Sequence, residues 1–465
     1  MNIITRFVTT VYLHLHLDEV WALYMVLKFG QTRLENLEKA KLEFHTDLPH
    51  LSPEEWARRQ ELVLGGGGDF SDEHISGIRH ARIPDASAAS LTYQYLEIDY
   101  SVIKVLTDEV DYFDRNRGCP KFHLGSILKM VKVNHRGYES LAAKLCLRVF
   151  QALTLNLTGK FPAAESEVPF NTFMHQIMSD RTFEDLEARE STVKIIEEAS
   201  CDALFFGLKN IYESLARTGL SIDPITGKDD LFDDMLFFVN TLYEDQLNFH
   251  RMMRIVRNCD SPVERFTIPV WTGTGIRNIR AAIVMSDNPA AHTVMRYNGA
   301  VITIVKNSRG NVTVQGDQEF ALSQNLIETL DEGIVELGAM CRYGDLSPEQ
   351  QAQADWEMLR CRGDSLADVG HFWHISDGSS NTDPENGNGK AWLSLYNGTH
   401  NHSAPPTKLT LGQLKNNAEC AFTRNRRNEW KSRMRVPGAE EPDRKPSVQP
   451  IDAETKALVE SIFGR

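Results

Sequence analysis

The chain begins with a strand that runs straight into a helix, and the residues at the junction narrow the fold. Residues 3–13 (IITRFVTTVYL) are β-branched and aromatic, which predicts a strand. HLHLDE follows, and then VWALYMVLKFG, whose spacing predicts an amphipathic helix capped by Gly30. Further strands are expected at AKLEF (40–44) and at Glu61–Leu64, the latter opening into Gly65–Gly68, with a helix over ASAASLTYQYL (86–96). Such strand–helix alternation predicts a mostly parallel sheet with its functional loops at the carboxyl edge.

At 465 residues the chain exceeds the size of a single hydrophobic core, so several domains are expected. The reading is α/β, with an N-terminal metal-binding unit at 1–135 and a helical insert or linker at 136–264. A second, smaller α/β domain spans 265–422, and a charged, proline-containing extension spans 423–465. Within the second domain, IRAAIVMSD reads as a strand and NPAAHTVMRYNG as a helix ended by Gly299. AVITIVKNSRGNVTVQG reads as a hairpin turning near Arg309 and Gly310, and 375–390 as a polar loop.

The net charge of −14 argues against broad duplex-DNA binding, although ions held in a site can supply positive charge locally. Seven cysteines without a CxxC pair (Cys119, Cys146, Cys201, Cys259, Cys341, Cys361 and Cys420) predict reduced thiols in a cytoplasmic protein. No apolar run approaches the ~20 residues of a membrane helix, so no membrane association is expected. The N-terminus reads as a strand and not as a signal peptide.

Three clusters carry the chemistry. In HLHLDE, His14, His16 and Asp18 share one face if the strand continues that far, and imidazole with carboxylate suits divalent metals in hydrolysis. Glu19 adds a fourth polar group, and the adjoining helix N-terminus would favour a phosphate. The plainer alternative makes Asp18 a helix N-cap. GGGGDFSDEH places four glycines beside Asp69, Asp72, Glu73 and His74, a second ligand set or else a surface turn; lacking a following Lys-Ser/Thr, it is no nucleotide P-loop. TDEVDYFDRNRG carries Asp108, Glu109, Asp111 and Asp114 after a helix. Asp111 and Asp114 are the pair best placed to point one way, and a solvated helix face is the alternative.

In their order these clusters resemble the DHH phosphoesterase superfamily, and within it the Myg-type branch of metal-dependent 3′–5′ exoribonucleases. The strand-to-His-x-Asp-Glu opening is matched by His16–Glu19, the glycine segment by Gly65–Asp69, and Asp-His-His by Asp72-Glu73-His74. The small-residue helix before a tyrosine is similar to Ser87 through Tyr93, and Val-Asp-x-x-Asp-x-Gly to Val110–Asp114 with Gly118. The chain departs from the pattern at Val20, Leu64 and Glu73, where carboxylates or a histidine would stand.

The resemblance implies one or two Mn²⁺ or Mg²⁺ ions bound by His14, His16, Asp18, Asp69, Asp72, His74, Asp111 and Asp114. Asp18, Asp72 and His74 would act in hydrolysis of a phosphoester such as a short RNA or nucleotide. A second domain would close over substrate, and Arg296, Lys306, Asn307, Arg309 and Gly310 are its candidate contacts. The departures leave two alternatives: a catalytically inactive sensor binding a nucleotide or protein, and a single-metal hydrolase of another substrate. Self-association is a further expectation. His371, His374, His400 and His402 form a last polar cluster, more readily explained by packing.

Overall fold

The computed structural model describes residues 6–44, 53–65, 86–116, 119–135, 137–159, 168–179, 182–220, 230–258, 260–271, 276–316, 374–377 and 393–397, with parts of 410–418. The opening strand is two short ones, β1 (Arg6–Phe7) and β2 (Thr10–Leu13). Pairing explains the break. β1 runs parallel to β3 (Leu34–Glu35), while β2 pairs in parallel with both β4 (Lys41–Phe44) and β5 (Glu61–Leu64). Val8 donates to Glu35 and Thr9 to Gln60, so the chain changes partners at that point. The sheet order β4-β2-β5 puts β2 in the centre, with all three carboxyl ends on one edge.

From β2 the chain enters α1 (Leu17–Phe29), whose N-cap is His16. The strand therefore stops before Asp18, which lies in the first helical turn and not on a strand face beside His14 and His16. Nor is Asp18 the N-cap. Gly30 ends the helix at φ −80°, in the right-handed region, because a 3₁₀ turn continues from it.

Helices α2 (Pro53–Arg58), α3 (Ala88–Tyr95), α4 (Ser101–Asn116), α5 (Leu124–Asn134) and α6 (Glu139–Leu157) follow, then α7 (Phe170–Ser179), α8 (Leu186–Ser200), α9 (Leu208–Thr218) and α10 (Leu231–Arg257). Ser87 and Ser90 form a reciprocal capping box that starts α3. One hydrophobic core runs from Val8 on the sheet to Leu242 in α10, so the helices beyond residue 135 share their packing with the sheet. Its centre is Trp21. Fully buried, it stacks on Tyr24 and meets Phe150 and Phe206 edge-on at centroid distances of 4.9 and 5.7 Å. Its indole N–H donates to Thr107 Oγ1 at 2.9 Å, tying α1 to α4.

A second core gathers Met252, Met253 and Val256 at the end of α10 with the C-terminal sheet. There β6 (Glu264–Trp271), β7 (Ile276–Met285), α11 (Ala291–Tyr297), β8 (Ile302–Lys306) and β9 (Val312–Gly316) follow in turn. β10 (His374–Asp377) and β11 (Leu393–Asn397) complete a six-stranded sheet of order β10-β11-β9-β8-β7-β6. Only β7 and β8, joined through α11, are parallel. The fold is thus mixed α/β, with parallel pairing in both sheets. The expected polar loop at 375–390 begins instead as β10, because residues 374–377 pair with β11. Among the described residues, no helix is long and apolar enough to cross a membrane.

His292, in the first turn of α11, is half-buried beside this second core. Its Nδ1 lies 2.7 Å from Thr303 Oγ1, and burial, with Arg296 nearby, lowers its pKa to about 3. The folded chain thus refuses a proton that the unfolded chain accepts near the ordinary value of ~6.5. Its contribution to stability is complete above that pH and is lost progressively as pH falls toward 3. His292→Asn, which keeps a nitrogen toward Thr303, is expected to flatten the acid side of the stability profile. Urea unfolding at pH 7 and pH 5 measures this; an unchanged difference between the two pH values would refute it.

Candidate functional site

The carboxyl end of β2 delivers His14 and His16 side by side, their rings stacked with centroids 5.8 Å apart. One turn into α1, Glu19 is buried and its Oε1 lies 3.7 Å from His16 Nδ1; Asp18 is buried beside it. Two acids in the first turn already answer the helix dipole, so α1 has little attraction left for an anion by itself. The positive charge comes from α5. Lys132 Nζ stands 3.5 Å from His16 Nε2, and Lys129 lies one turn earlier on the same helix.

These neighbours fix the state of His16. The Lys132 ammonium can only donate, so His16 Nε2 accepts and Nδ1–H faces Glu19. Burial first, then Lys132, His14 and Lys129, hold the His16 pKa well below the usual imidazole value. The ring is crowded yet 39% exposed, so one side of it remains open to solvent. Lys132 is itself lowered by burial, an effect opposed by Glu19 and Glu139.

The second cluster reaches this place through its first residue. Gly65 leaves β5 with φ +74°, and a Cβ there would lie 2.5 Å from Glu19 Cγ and 2.7 Å from Oε1. Only glycine accepts both the left-handed backbone and this contact. The exits of β2 and β5 thus meet at Glu19. Asp69, Asp72, Glu73 and His74 lie outside the described residues, as do His371, His400 and His402.

The third cluster lies inside α4, not after a helix, so its carboxylates diverge. Asp108 turns outward to Lys104 at 2.7 Å. Glu109 turns inward and accepts from the amides of Phe205 and Phe206, each at 2.9 Å. Its Oε1 also lies 3.3 Å from Nε2 of the buried His123, whose Nδ1 accepts from Gly125 N–H. That network is architectural. Asp111 is buried, and Asp114 is half-buried.

Asp111 nevertheless lies at the same end as Asp18. A Cβ on Gly125 would sit 3.5 Å from Leu17, the His123 ring packs 4.4 Å from Phe113, and Thr107 lies near Met25. α1 and α4 therefore run antiparallel, with the start of one beside the finish of the other. Among the described residues, however, no three His, Cys, Asp or Glu side chains form a group able to hold a metal ion.

The expected substrate contacts separate. Asn307 shapes its own turn, its Oδ1 accepting from the amides of Arg309 and Asn311, and Gly310 adopts φ +90° there. Lys306 is buried at the end of β8, and Arg309 is exposed. Asp287 accepts from Ser308 N–H, a bond that, with Arg309 nearby, keeps its carboxyl below the usual range. These residues share the carboxyl edge of β7 and β8, whereas Arg296 is in the last turn of α11, toward the other edge. The first edge is fastened to α5: Asn288 donates to the Asn248 carbonyl at 2.9 Å, and Asn248 to Asn134 Oδ1 at 3.1 Å.

Lys129 and Lys132 were not singled out from the sequence. Their i,i+3 spacing on SILKMVKV was the available signal, but nothing local says which helix faces HLHLDE.

No protein-family model matches the chain, and no curated protein matches it. Among solved structures it is similar to an uncharacterized protein from Helicobacter pylori at 14% identity, over 68% of this chain and 88% of that one, with a TM-score of 0.17.

Gly65→Ala is expected to destabilise the chain by about 1–3 kcal/mol through backbone strain and the collision with Glu19. In a Glu19→Ala background the collision disappears, and the penalty should shrink in a denaturant-unfolding double-mutant cycle. Equal penalties in both backgrounds would refute the contact.

Proposed function

We propose that the chain is a metal-dependent phosphoester hydrolase whose site lies at the carboxyl edge of β4-β2-β5, arranged like the DHH enzymes. The observation that carries this reading is the meeting of the β2 and β5 exits at Glu19, beside His14, His16 and Asp18. Imidazoles and carboxylates at one sheet edge have the donor chemistry a Mn²⁺ or Mg²⁺ ion requires. In number they do not complete a shell: His14, Asp18 and Asp111 are the described candidates, and the donors Asp69, Asp72 and His74 come from the sequence alone.

When bound, the ion would supply Lewis acidity toward water and phosphate. The chain's own residues do the rest. Lys132 and Lys129 attract the phosphoryl oxygens into a cleft otherwise dominated by acids. Neutral His16, oriented between Lys132 and Glu19, offers Nε2 as a proton acceptor once a substrate anion draws Lys132 away. Substrates of the expected class are short RNAs or nucleotides. Free Cys119, Cys146 and Cys201 suit a reducing, cytoplasmic setting.

One observation favours a second reading. An ammonium 3.5 Å from His16 Nε2 places a cation where an imidazole would otherwise face a metal. A site that has exchanged its ion for lysine binds phosphate without cleaving it, as a sensor would.

The test is hydrolysis of bis-(p-nitrophenyl) phosphate, short RNAs and cyclic dinucleotides with Mn²⁺ or Mg²⁺. The enzyme reading expects turnover that Asp18→Asn reduces at least ~100-fold and that Lys132→Ala weakens mainly through KM. Absence of turnover on all substrates, with nucleotides still raising the Tm of wild type but not of Lys132→Ala, would select the sensor.

A further inference from the structure

A cavity of about 230 Å³ opens at the far edge of the C-terminal domain, where the last turns of α10 and α11 approach β6 and β7. Its body is apolar, formed by Val256, Met295 and Ala300 among others, and its polar side chains include two guanidiniums, those of Arg265 and Arg280. The register places both on the helix-facing side of the sheet, where each is exposed at the rim of the cavity. Arg265 pairs with Ala282 and Thr267 with Arg280, and Ala282 belongs to the buried helix-facing core. The neighbouring Glu264 alternates to the opposite face of β6, where Lys415 pairs with it, so it does not neutralise the cavity.

The two arginines are held differently. Arg265 Nη2 donates to the Val256 carbonyl at 2.8 Å, which satisfies the end of α10 and leaves its other donors. Among the described residues, the Arg280 carbonyl accepts from Val301 N–H, but its guanidinium makes neither a hydrogen bond nor an ion pair. Its guanidinium lies against Gly299, where a Cβ would be 3.0 Å from Nη1, and Gly299 adopts φ +91°. The glycine thus makes room for a flat cation. Two like charges beside one cavity repel, and an oxyanion between them removes that cost while forming charge-assisted bonds.

We infer that this cavity binds a small amphipathic anion, its apolar body between α10 and α11 and its carboxylate, phosphonate or phosphate head on Arg265 and Arg280. The volume suits a single ring or short alkyl chain, since a cavity of ~150 Å³ already admits benzene. The site is separate from the proposed hydrolytic cleft. It lies toward the amino edge of β8, whereas the loops fastened to α5 leave the carboxyl edges of β7 and β8. α10 connects the two places, with Asn248 on the fastening and Val256 on the cavity wall.

The experiment is isothermal titration of the full chain with benzoate and phenylphosphonate, with benzyl alcohol and inorganic phosphate as body-only and head-only controls. Wild type should bind one or both anions more tightly than either control. Arg280→Gln should weaken them on the order of tenfold to a hundredfold, while Lys132→Ala leaves them unchanged. Thr267→Trp, which fills the cavity from an exposed position, should abolish binding even if the arginine variant fails to fold. Equal affinity in Arg280→Gln, loss of binding in Lys132→Ala, or benzyl alcohol binding as tightly as benzoate would each overturn the assignment. Loss in Lys132→Ala would place the anion in the cleft, and absent hydrolysis would leave this result untouched.

Discussion

The indole of Trp21 sets the geometry on which the candidate site depends. Its N–H donates to Thr107 and its ring faces lock against Tyr24, Phe150 and Phe206, so α1 cannot slide along α4 without exposing a buried donor and opening the core. Because the two helices are antiparallel, that register brings Asp111 to the end at which Asp18 and Glu19 begin α1. Glu109 reinforces it from the other side. By accepting from two backbone amides and facing His123, it anchors the middle of α4 to the turn before α9. Four acids close in sequence thus divide into one surface partner, one anchor, a buried Asp111 and a half-buried Asp114.

Charge around the cleft is balanced between elements far apart in the chain. α1 contributes buried carboxylates and α5 contributes ammonium groups, with His16 between them. Neither helix is suited to phosphate alone: the first turn of α1 repels it, and Glu19 and Glu139 already lie near enough to Lys132 to favour its charged form. A phosphoryl group entering the cleft would compete with Glu19 for Lys132, while a divalent ion would compete with Lys132 for the carboxylates. Substrate and metal would therefore reinforce each other, each drawing away the partner that opposes the other's binding.

The strand exits were legible because they depend on local pattern. HLHLDE between a β-branched run and an apolar helix, and ELVL before glycines, mark the edge where β2 and β5 end together, and the parallel pairing follows from the intervening helix. What the sequence concealed was tertiary. TDEVDYFD reads as an acidic patch because nothing local reveals that α4 continues to Asn116 and buries alternate faces. Asn307 and Gly310 look like ligand contacts for the same reason that they make a turn, since a short amide side chain and a left-handed glycine serve both purposes. The break between β1 and β2 is equally invisible, as the exchange of Glu35 for Gln60 as backbone partner involves residues more than twenty positions away.

The long helix α10 gives these separate features a common mechanical basis. Met235, Phe238 and Leu242 are buried with the N-terminal sheet, and Met252, Met253 and Val256 with the C-terminal one, without a break in the helix between them. A continuous helix resists bending but can tilt or rotate, so movement between the two cores must be taken up at its side contacts. The polar fastening Asn134–Asn248–Asn288 is the contact best able to yield, because its hydrogen bonds are only half-buried and water can replace them at little cost. Displacing it would shift the Asp287–Arg309 edge relative to Lys132 while leaving both hydrophobic cores intact. A ligand wedged between the ends of α10 and α11 would act on the same helix from its far end. Its effect on the cleft would depend on whether it favours the tilt that keeps Asn248 against Asn134.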